Sequence, residues 1–324
     1  MGNQERDLLH KACEDDDIML LDKAISMTAA GDLESFYNIA RYSAIWNNAM
    51  AILNDLIERG VRVTPRWPSD AKGASKETLE FLLAQGWDIN AQGDSGNHKQ
   101  PFMWLVATDY NLVKWCLEHG ASVHPRGQEP FCDGVTKTKD RHECQQILEI
   151  VAARGSIATF DLLRSKGAPL GWRPLHVAVE TATFFPPGDK YNDVKHAERM
   201  AMVHYLLDVV GLDVNAPDQP VGTKLLPMHS GTPICYISDA MDGRDHRELT
   251  WLLLDRGADP TDALRFAKPD YSNFAEDVKA WKAWKEKQAS DGWEAKQGGD
   301  RREAKEVGDR RKAKQSGDSK CCVQ

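Results

Sequence analysis

One pattern of residues recurs six times along the chain: a leucine-rich stretch, a few polar residues and then a glycine. Each leucine pair lies on one face of a helix, and the glycine is placed where a helix ends in a left-handed residue, which glycine adopts at little cost. The intervals between successive glycines are 26, 34, 47, 44 and 46 residues, which indicates a repeat of roughly 33 residues with insertions and one truncation. The six residues are Gly60, Gly86, Gly120, Gly167, Gly211 and Gly257.

Helix starts recur ahead of these endings. RPLHVAVE, GTPICYI and KQPFMWLVA place Pro174, Pro233 and Pro101 in the first turn of a predicted helix, where the missing N–H of proline would have had no partner. Each unit is therefore predicted to contain a turn, a short helix, a second turn, a longer helix, the glycine and an extended connector.

Two of the units resemble a known repeat family. RPLHVAV followed by YLLDVVGLDVNAPD resembles an ankyrin repeat, with Arg173 in place of the family's Thr, and GTPICYI with LLLDRGADP resembles a second, with Cys235 in place of the family's His. The resemblance covers about residues 8–264 and implies an all-α ankyrin-repeat solenoid of helix-turn-helix units with short extended connectors. It also implies structural hydrogen bonds for His176. A non-repetitive helical bundle is the alternative.

The pattern divides the chain into four segments. Residues 1–30 are predicted to be N-terminal capping helices, and residues 31–264 to hold the degenerate ankyrin repeats. A capping helix is predicted in 265–290, where apolar residues lie at helical spacing over 274–288. A helix that covers the last repeat is favoured over a helix that binds a partner. Residues 291–324 are predicted to be a disordered basic tail of nine-residue repeats ending in CCVQ, because its later units hold too little apolar surface to fold.

Two insertions depart from the repeat length. TATFFPPGDKYNDVKHAER lies between the two helices of the unit that ends at Gly211, and its FFPPG run predicts a rigid apolar turn. The second, RGQEPFCDGVTKTKDRHEC at 126–144, is predicted to be a polar loop between units. Both are candidates for binding loops, and tolerated surface loops are the alternative.

Charge is distributed unevenly along the chain. Residues 301–320 carry a net charge of +4, and subtracting this from the total of −8 leaves −12 on the remaining residues. The acidic body favours a basic partner surface, whereas the basic tail suits an anionic membrane face. Acidic residues interspersed in the tail weaken its attraction for phosphates, so we do not expect nucleic-acid binding.

The last four residues fit the C-a-a-X pattern, which predicts farnesylation of Cys321. The basic residues just upstream supply the second signal that a single lipid chain needs for stable attachment. The predicted location is therefore cytoplasmic and peripheral on a membrane, with the nucleus as the alternative. Myristoylation of Gly2 is less favoured, because Arg6 stands where Ser or Thr is preferred.

Motifs for catalysis, cofactors and metals are not found. The sequence has no phosphate-binding glycine loop, nucleophile elbow or paired-histidine zinc motif. Seven Cys form an odd set without regular spacing, which argues against a disulfide framework. Cys132, His142 and Cys144 lack a fourth ligand for zinc. No stretch is long and apolar enough to span a membrane, and the charged N-terminus does not fit a secretory signal. We therefore expect neither an enzyme nor a bound cofactor.

The predicted function is that of a non-catalytic protein–protein interaction scaffold or adaptor on a membrane face. The alternatives are a soluble or nuclear regulator, or an accessory protein of a biosynthetic pathway, without a lipid anchor. By the ankyrin resemblance, partners contact connector tips and short inner helices. The residues predicted to contact a partner are Trp87, Asp88, Asn90, Gln92, His98, Trp104, His124, Arg126, Asp213, Asn215 and Asp218.

Overall fold

The fold is built from helices that follow one another in pairs. The structure is a computed structural model, and within its described residues every regular element is helical. No described helix is both long and apolar enough to cross a membrane. The described ranges are 2–92, 100–124, 146–185, 190–218, 231–238, 245–267 and 273–290.

Fifteen α-helices lie within these ranges, together with two short 3-10 helices at Ala30–Asp32 and Pro68–Ala71 and a π-helical turn at Tyr205–Val209. The α-helices are α1 (Asn3–Asp15), α2 (Ile18–Met27), α3 (Leu33–Asn47), α4 (Met50–Glu58), α5 (Lys76–Ala84), α6 (Phe102–Leu105), α7 (Tyr110–Glu118), α8 (Ile147–Arg154), α9 (Ile157–Ser165), α10 (Pro174–Thr183), α11 (Lys190–His204), α12 (Cys235–Ser238), α13 (Arg247–Asp255), α14 (Thr261–Phe266) and α15 (274–290).

The helices stack in two rows. In the first row α3 packs against the 3-10 helix at Pro68–Ala71, which packs against α6; further along, α8, α10, α12 and α14 pack in succession. The second row includes the contacts of α2 with α4 and of α7 with α9, and the two rows meet within each pair, as in α1 with α2 and α8 with α9. This arrangement confirms the predicted fold class, an all-α array of ankyrin-like helix pairs.

The six predicted helix endings share one backbone geometry. Each of the six glycines has a φ between 76° and 88°, in the left-handed region. In five units the residue after the glycine donates its N–H to the carbonyl five residues earlier, as Ala121 does to Cys116 at 2.9 Å. In the unit that ends at Gly211 the bond from Leu212 reaches back six residues, to Leu206 at 3.0 Å, because the π-helical turn adds one residue. The repeated ending thus directs each connector away from its helix in the same way.

Side chains at the ends of two first-row helices hold the next unit in place. Asp16 follows α1 with a φ of 51°, and its carboxylate accepts the backbone N–H groups of Ala51 and Ile52 at 2.9 and 3.0 Å, at the start of α4. Asn48 follows α3 with a φ of 58°, and its side-chain oxygen accepts the Thr78 hydroxyl at 2.9 Å in α5. Asp16 thereby satisfies N–H groups in the first turn of α4 that would otherwise lack partners, and Asn48 links the end of α3 to α5.

An asparagine in the connector joins neighbouring units at two places along the array. Asn90 donates its side-chain N–H to the Gly120 carbonyl at 2.9 Å and accepts the Ser122 N–H at 2.7 Å. Asn215 makes the same two bonds, to the Gly257 carbonyl at 2.9 Å and from the Asp259 N–H at 2.8 Å. Because the same two bonds recur, successive units are stacked in the same way at these two places in the array.

Much of the first insertion is helix in the structure. α10 continues to Thr183 and α11 begins at Lys190, so the prediction of an inserted loop is corrected for most of its length. The reason is that KYNDVKHAER lacks Gly and Pro and extends the following helix backwards. Phe184 is 57% exposed after α10. The PPG turn and the whole of 126–144 lie outside the described residues.

The C-terminal helix covers the last unit. α15 buries Phe274 and Val278, and its fully buried Asp277 accepts the Arg247 guanidinium at 2.9 Å. The Trp251 indole N–H donates to the Asp277 carbonyl at 3.0 Å, which fastens α15 to α13. The boundary set between residues 264 and 265 falls within α14, and the predicted tail at 291–324 lies outside the described residues.

Candidate functional site

Three of the residues predicted to contact a partner are buried. Trp87 and Trp104 are 6% and 3% exposed, and the Trp87 ring packs edge-on against Phe102 with ring centroids 5.2 Å apart. Asp218 is 5% exposed and accepts the Tyr236 hydroxyl at 2.7 Å. These side chains stabilise the packing between units and are inaccessible to a partner, so the assignment is corrected for all three.

The connector residues in the predicted set shape the connectors themselves. Asp88 accepts the N–H of Asn90 at 3.0 Å, and Asp213 accepts that of Asn215 at 2.9 Å. The two asparagines then make the joints between units. Gln92 and His124 are exposed and stay predictions, while His98 and Arg126 lie outside the described residues.

An exposed aromatic pair lies on α3, in the first row. Tyr42 and Trp46 are 43% and 49% exposed, and their rings stack with centroids 6.3 Å apart and an interplanar angle of 28°. With Asn38 they form a line of residues four apart, on the face opposite the buried Phe36 and Ala40. Gly73 lies against the Trp46 ring, since a Cβ at this glycine would come within 3.1 Å of it.

A cleft opens beside the aromatic pair, between α3 and the connector that follows α4. Its volume is about 410 Å³. We define the α3 groove as this cleft together with the adjoining exposed face. Its residues are Leu33, Glu34, Tyr37, Asn38, Arg41, Tyr42 and Trp46 of α3, and Val61, Arg62 and Arg66 of the connector.

A buried carboxylate holds the connector wall of the groove. Asp70 is 8% exposed and accepts the backbone N–H groups of Arg66 and Trp67 at 3.1 and 3.0 Å. The Arg66 guanidinium carbon lies 5.2 Å from the centre of the Trp67 ring, a cation–π contact. Burial lowers the pKa of Arg41, the nearby Asp70 opposes that effect, and the positive charges of Arg66 and Arg62 add to it.

The three arginines of the groove have no carboxylate within ion-pair distance in the described part of the chain. Arg62 donates Nε–H to the Thr64 hydroxyl at 2.8 Å, and the buried Nε of Arg41 has no hydrogen-bond partner among the described residues. Some arginines elsewhere do pair with acids, as Arg256 does with Asp208 at 2.8 Å. The groove is therefore a locally positive surface on an acidic body.

A second polar cluster, between α8, α10 and α12, has a structural role. Glu149 is 6% exposed and accepts the N–H groups of Trp172 and Arg173 at 3.0 and 2.8 Å; burial raises its pKa and these bonds oppose the rise. His176 shares a hydrogen bond with the Ala216 carbonyl at 3.0 Å, and burial lowers the pKa of His176 to about 4. The cluster links three units, in keeping with the structural role that the resemblance implies for His176.

Neither metal ligands nor reactive thiols stand out in the described residues. No group of three or more His, Cys, Asp or Glu side chains within the described ranges is placed to hold a metal ion. Cys13, Cys116 and Cys235 are buried free thiols, and burial raises the pKa of Cys13 and of Cys116 to about 12. Cys132, His142, Cys144 and Cys321 lie outside the described residues.

The α3 groove was not predicted from the sequence, although the sequence contains a signal for it. Asn38, Tyr42 and Trp46 follow one another at intervals of four residues, opposite the apolar face of the same helix. Large aromatic residues on a polar helix face indicate a surface that something else covers. The ankyrin resemblance instead predicts contacts at connector tips and short inner helices.

Comparisons with known proteins yield a structural likeness only. No family model matches the sequence, and no curated protein matches it. Among solved structures, the crystal structure of the human ASB11 ankyrin repeat domain is 17% identical to this chain, with a TM-score of 0.40, and the match covers 84% of this chain and 96% of that chain. At this level the likeness carries no argument about function, and the ankyrin-like character of the chain rests on its own repeated geometry.

Proposed function

We propose that the protein is a non-catalytic interaction scaffold that binds a segment of a partner protein in the α3 groove. The observation that carries the proposal is the stacked, exposed pair Tyr42 and Trp46 beside a cleft whose arginines lack carboxylate partners. Aromatic residues and arginine are the types enriched in protein interfaces and in their energetic hot spots.

The two walls of the groove suit an extended segment. α3 provides an aromatic floor, and the connector held by Asp70 provides a polar side wall. The helical wall is fixed by its own main-chain hydrogen bonds and the connector by the Asp70 carboxylate, so little ordering is needed when a partner binds. A preformed surface of this kind reduces the entropic cost of association.

Site-specific photocrosslinking tests this proposal. p-Benzoylphenylalanine placed at Tyr42 of the full chain is expected to crosslink a defined set of partner proteins in cells. The matched control is the same substitution at Tyr110, which is 40% exposed on the second-row helix α7. Crosslinks at Tyr42 that are no more abundant or specific than those at Tyr110 would refute binding at the groove.

A membrane tether is a separate part of the proposal. Cys321 and the basic repeats lie outside the described residues, so a farnesylated, cytoplasmic, membrane-peripheral protein rests on the sequence pattern alone. Fractionation of wild type, Cys321→Ser and Cys322→Ser chains provides the test. We expect only Cys321→Ser to move the protein from membranes to the soluble fraction, and an unchanged distribution of that variant would refute the tether.

A further inference from the structure

We propose that the segment bound in the α3 groove is acidic and carries an apolar anchor residue. The anchor packs on the Tyr42–Trp46 pair, and neighbouring Asp or Glu side chains pair with Arg41, Arg62 and Arg66. This inference rests on the proposed function. It predicts an acidic partner segment at the groove, whereas the overall charge of the body favours a basic partner surface.

The first step of the argument is the unbalanced charge. Arg62 and Arg66 lie close enough to lower the pKa of Arg41, and Asp70 is the one acid that acts on Arg41 from nearby within the described residues. The Asp70 carboxylate already accepts two backbone N–H groups. An incoming carboxylate therefore meets several guanidinium N–H groups that no described acid engages.

The second step is the partial burial of Arg41. This side chain lies half-buried in the cleft wall, and its Nε has no partner among the described residues. A buried charged donor without a partner is destabilising. A carboxylate in the cleft would place a compensating negative charge beside this guanidinium, in a setting where charge-assisted bonds are strong.

The third step separates a protein segment from a nucleic acid. Subtracting the +4 of residues 301–320 from the total of −8 leaves −12 on the rest of the chain, and Glu34 lines one end of the cleft. A polyphosphate strand would pass from the arginines into this negative field. A short acidic segment needs the positive field over a few residues only.

The fourth step predicts the spacing of the motif. Arg41 and Trp46 are five residues apart on α3, which corresponds to about 7.5 Å along the helix axis and about 140° around it. The axial distance alone takes about two residues of an extended peptide, at roughly 3.3 Å each, and the rotation adds to that. The expected motif therefore has an acidic residue at least two positions from a large apolar one, with further acids on the same side.

Selection from a phage library of random 16-residue peptides on the full-length chain tests the inference. Enriched peptides are expected to be rich in Asp and Glu and to contain the spaced apolar residue. By fluorescence anisotropy, the double variant Arg62→Gln/Arg66→Gln should weaken binding of the best peptide by about tenfold or more, and affinity should fall as NaCl rises. The matched control removes two exposed positive charges from α14 and α15, Arg265→Gln/Lys282→Gln, and should bind as wild type does.

The outcomes separate this inference from the proposed function. Enrichment of neutral or basic peptides whose binding is lost in Tyr42→Ala/Trp46→Ala but kept in Arg62→Gln/Arg66→Gln would overturn the acidic partner and leave the groove in place. Selected peptides that bind both of these double variants as tightly as they bind wild type would overturn the groove itself. A twelve-residue oligo(dT) that displaces the peptide with the same dependence on Arg62 and Arg66 would overturn a protein segment in favour of single-stranded nucleic acid. Thermal melting of each variant shows whether it is folded.

Discussion

His176 should make the stability of the fold depend on pH. Its ring is 1% exposed, and burial, with the charge of Arg173, lowers its pKa to about 4, whereas an unfolded histidine titrates near 6.5. As pH falls below about 6.5 the unfolded chain takes up a proton that the folded chain does not, so unfolding becomes easier. The effect increases until the pH reaches about 4, where the folded state binds the proton as well.

The magnitude follows from the two pKa values. The full difference corresponds to about 3 kcal/mol of free energy of unfolding, and between pH 7 and pH 5 the loss should be about 2 kcal/mol. Contributions from other ionisable groups are common to both chains, so the quantity to measure is the difference in free energy of unfolding between wild type and His176→Gln. Glutamine keeps a donor for the Ala216 carbonyl and does not titrate.

Urea denaturation followed by circular dichroism at pH 7, 6 and 5 provides the measurement. Between pH 7 and pH 5 we expect the free energy of unfolding of wild type to fall by about 2 kcal/mol more than that of His176→Gln. A constant difference in stability caused by the substitution itself does not affect this comparison. Parallel stability curves would refute the reasoning. So would an NMR titration of the His176 ring with a midpoint near that of an exposed histidine.

Three further changes should affect stability in ways that thermal or urea denaturation can measure. Asn215→Ala removes both bonds of a joint between units and should lower the free energy of unfolding by about 1–3 kcal/mol, whereas Gln92→Ala, at an exposed side chain of the other connector, should leave it unchanged. Gly120→Ala should lower the free energy of unfolding by about 1 kcal/mol through its φ of 84° alone, because the position has open space around it. Gly31→Ala, at an equally open position without a positive φ, should leave the free energy of unfolding unchanged. Asp277→Asn should lower the melting temperature by loosening α15 from Arg247, and the loss should depend only weakly on salt because Asp277 is buried.

The helix endings were predictable from sequence because they depend on local chemistry. A glycine after a leucine-rich stretch satisfies the backbone requirement of a helix end whatever the rest of the fold does, and each of the six adopts the left-handed conformation. The joints between units are less local. Asn90 and Asn215 stood out in the sequence, but their bonds to main-chain atoms of the next unit became visible only with the stacking in place.

The binding surface could not be located in the same way, because exposure depends on neighbouring units. Trp87 and Trp104 are buried, whereas Trp46 is half exposed. The next unit sets this difference: its first-row helix is a single 3-10 turn at Pro68–Ala71, and Gly73 meets the Trp46 ring without covering it. Sequence patterns reveal which residues are aromatic, but the depth of the adjacent layer decides which of them face solvent.

The asparagine joints have a consequence for how freely such a chain can vary. Asn90 bonds to the carbonyl of Gly120 and the N–H of Ser122, which are main-chain atoms present at almost any residue type. A joint of this kind places a demand on one side chain rather than on a matched pair, so a substitution on the far side needs no compensating change. Neighbouring units can therefore diverge independently while the stack keeps its spacing, which is a physical route to an array whose members scarcely resemble one another.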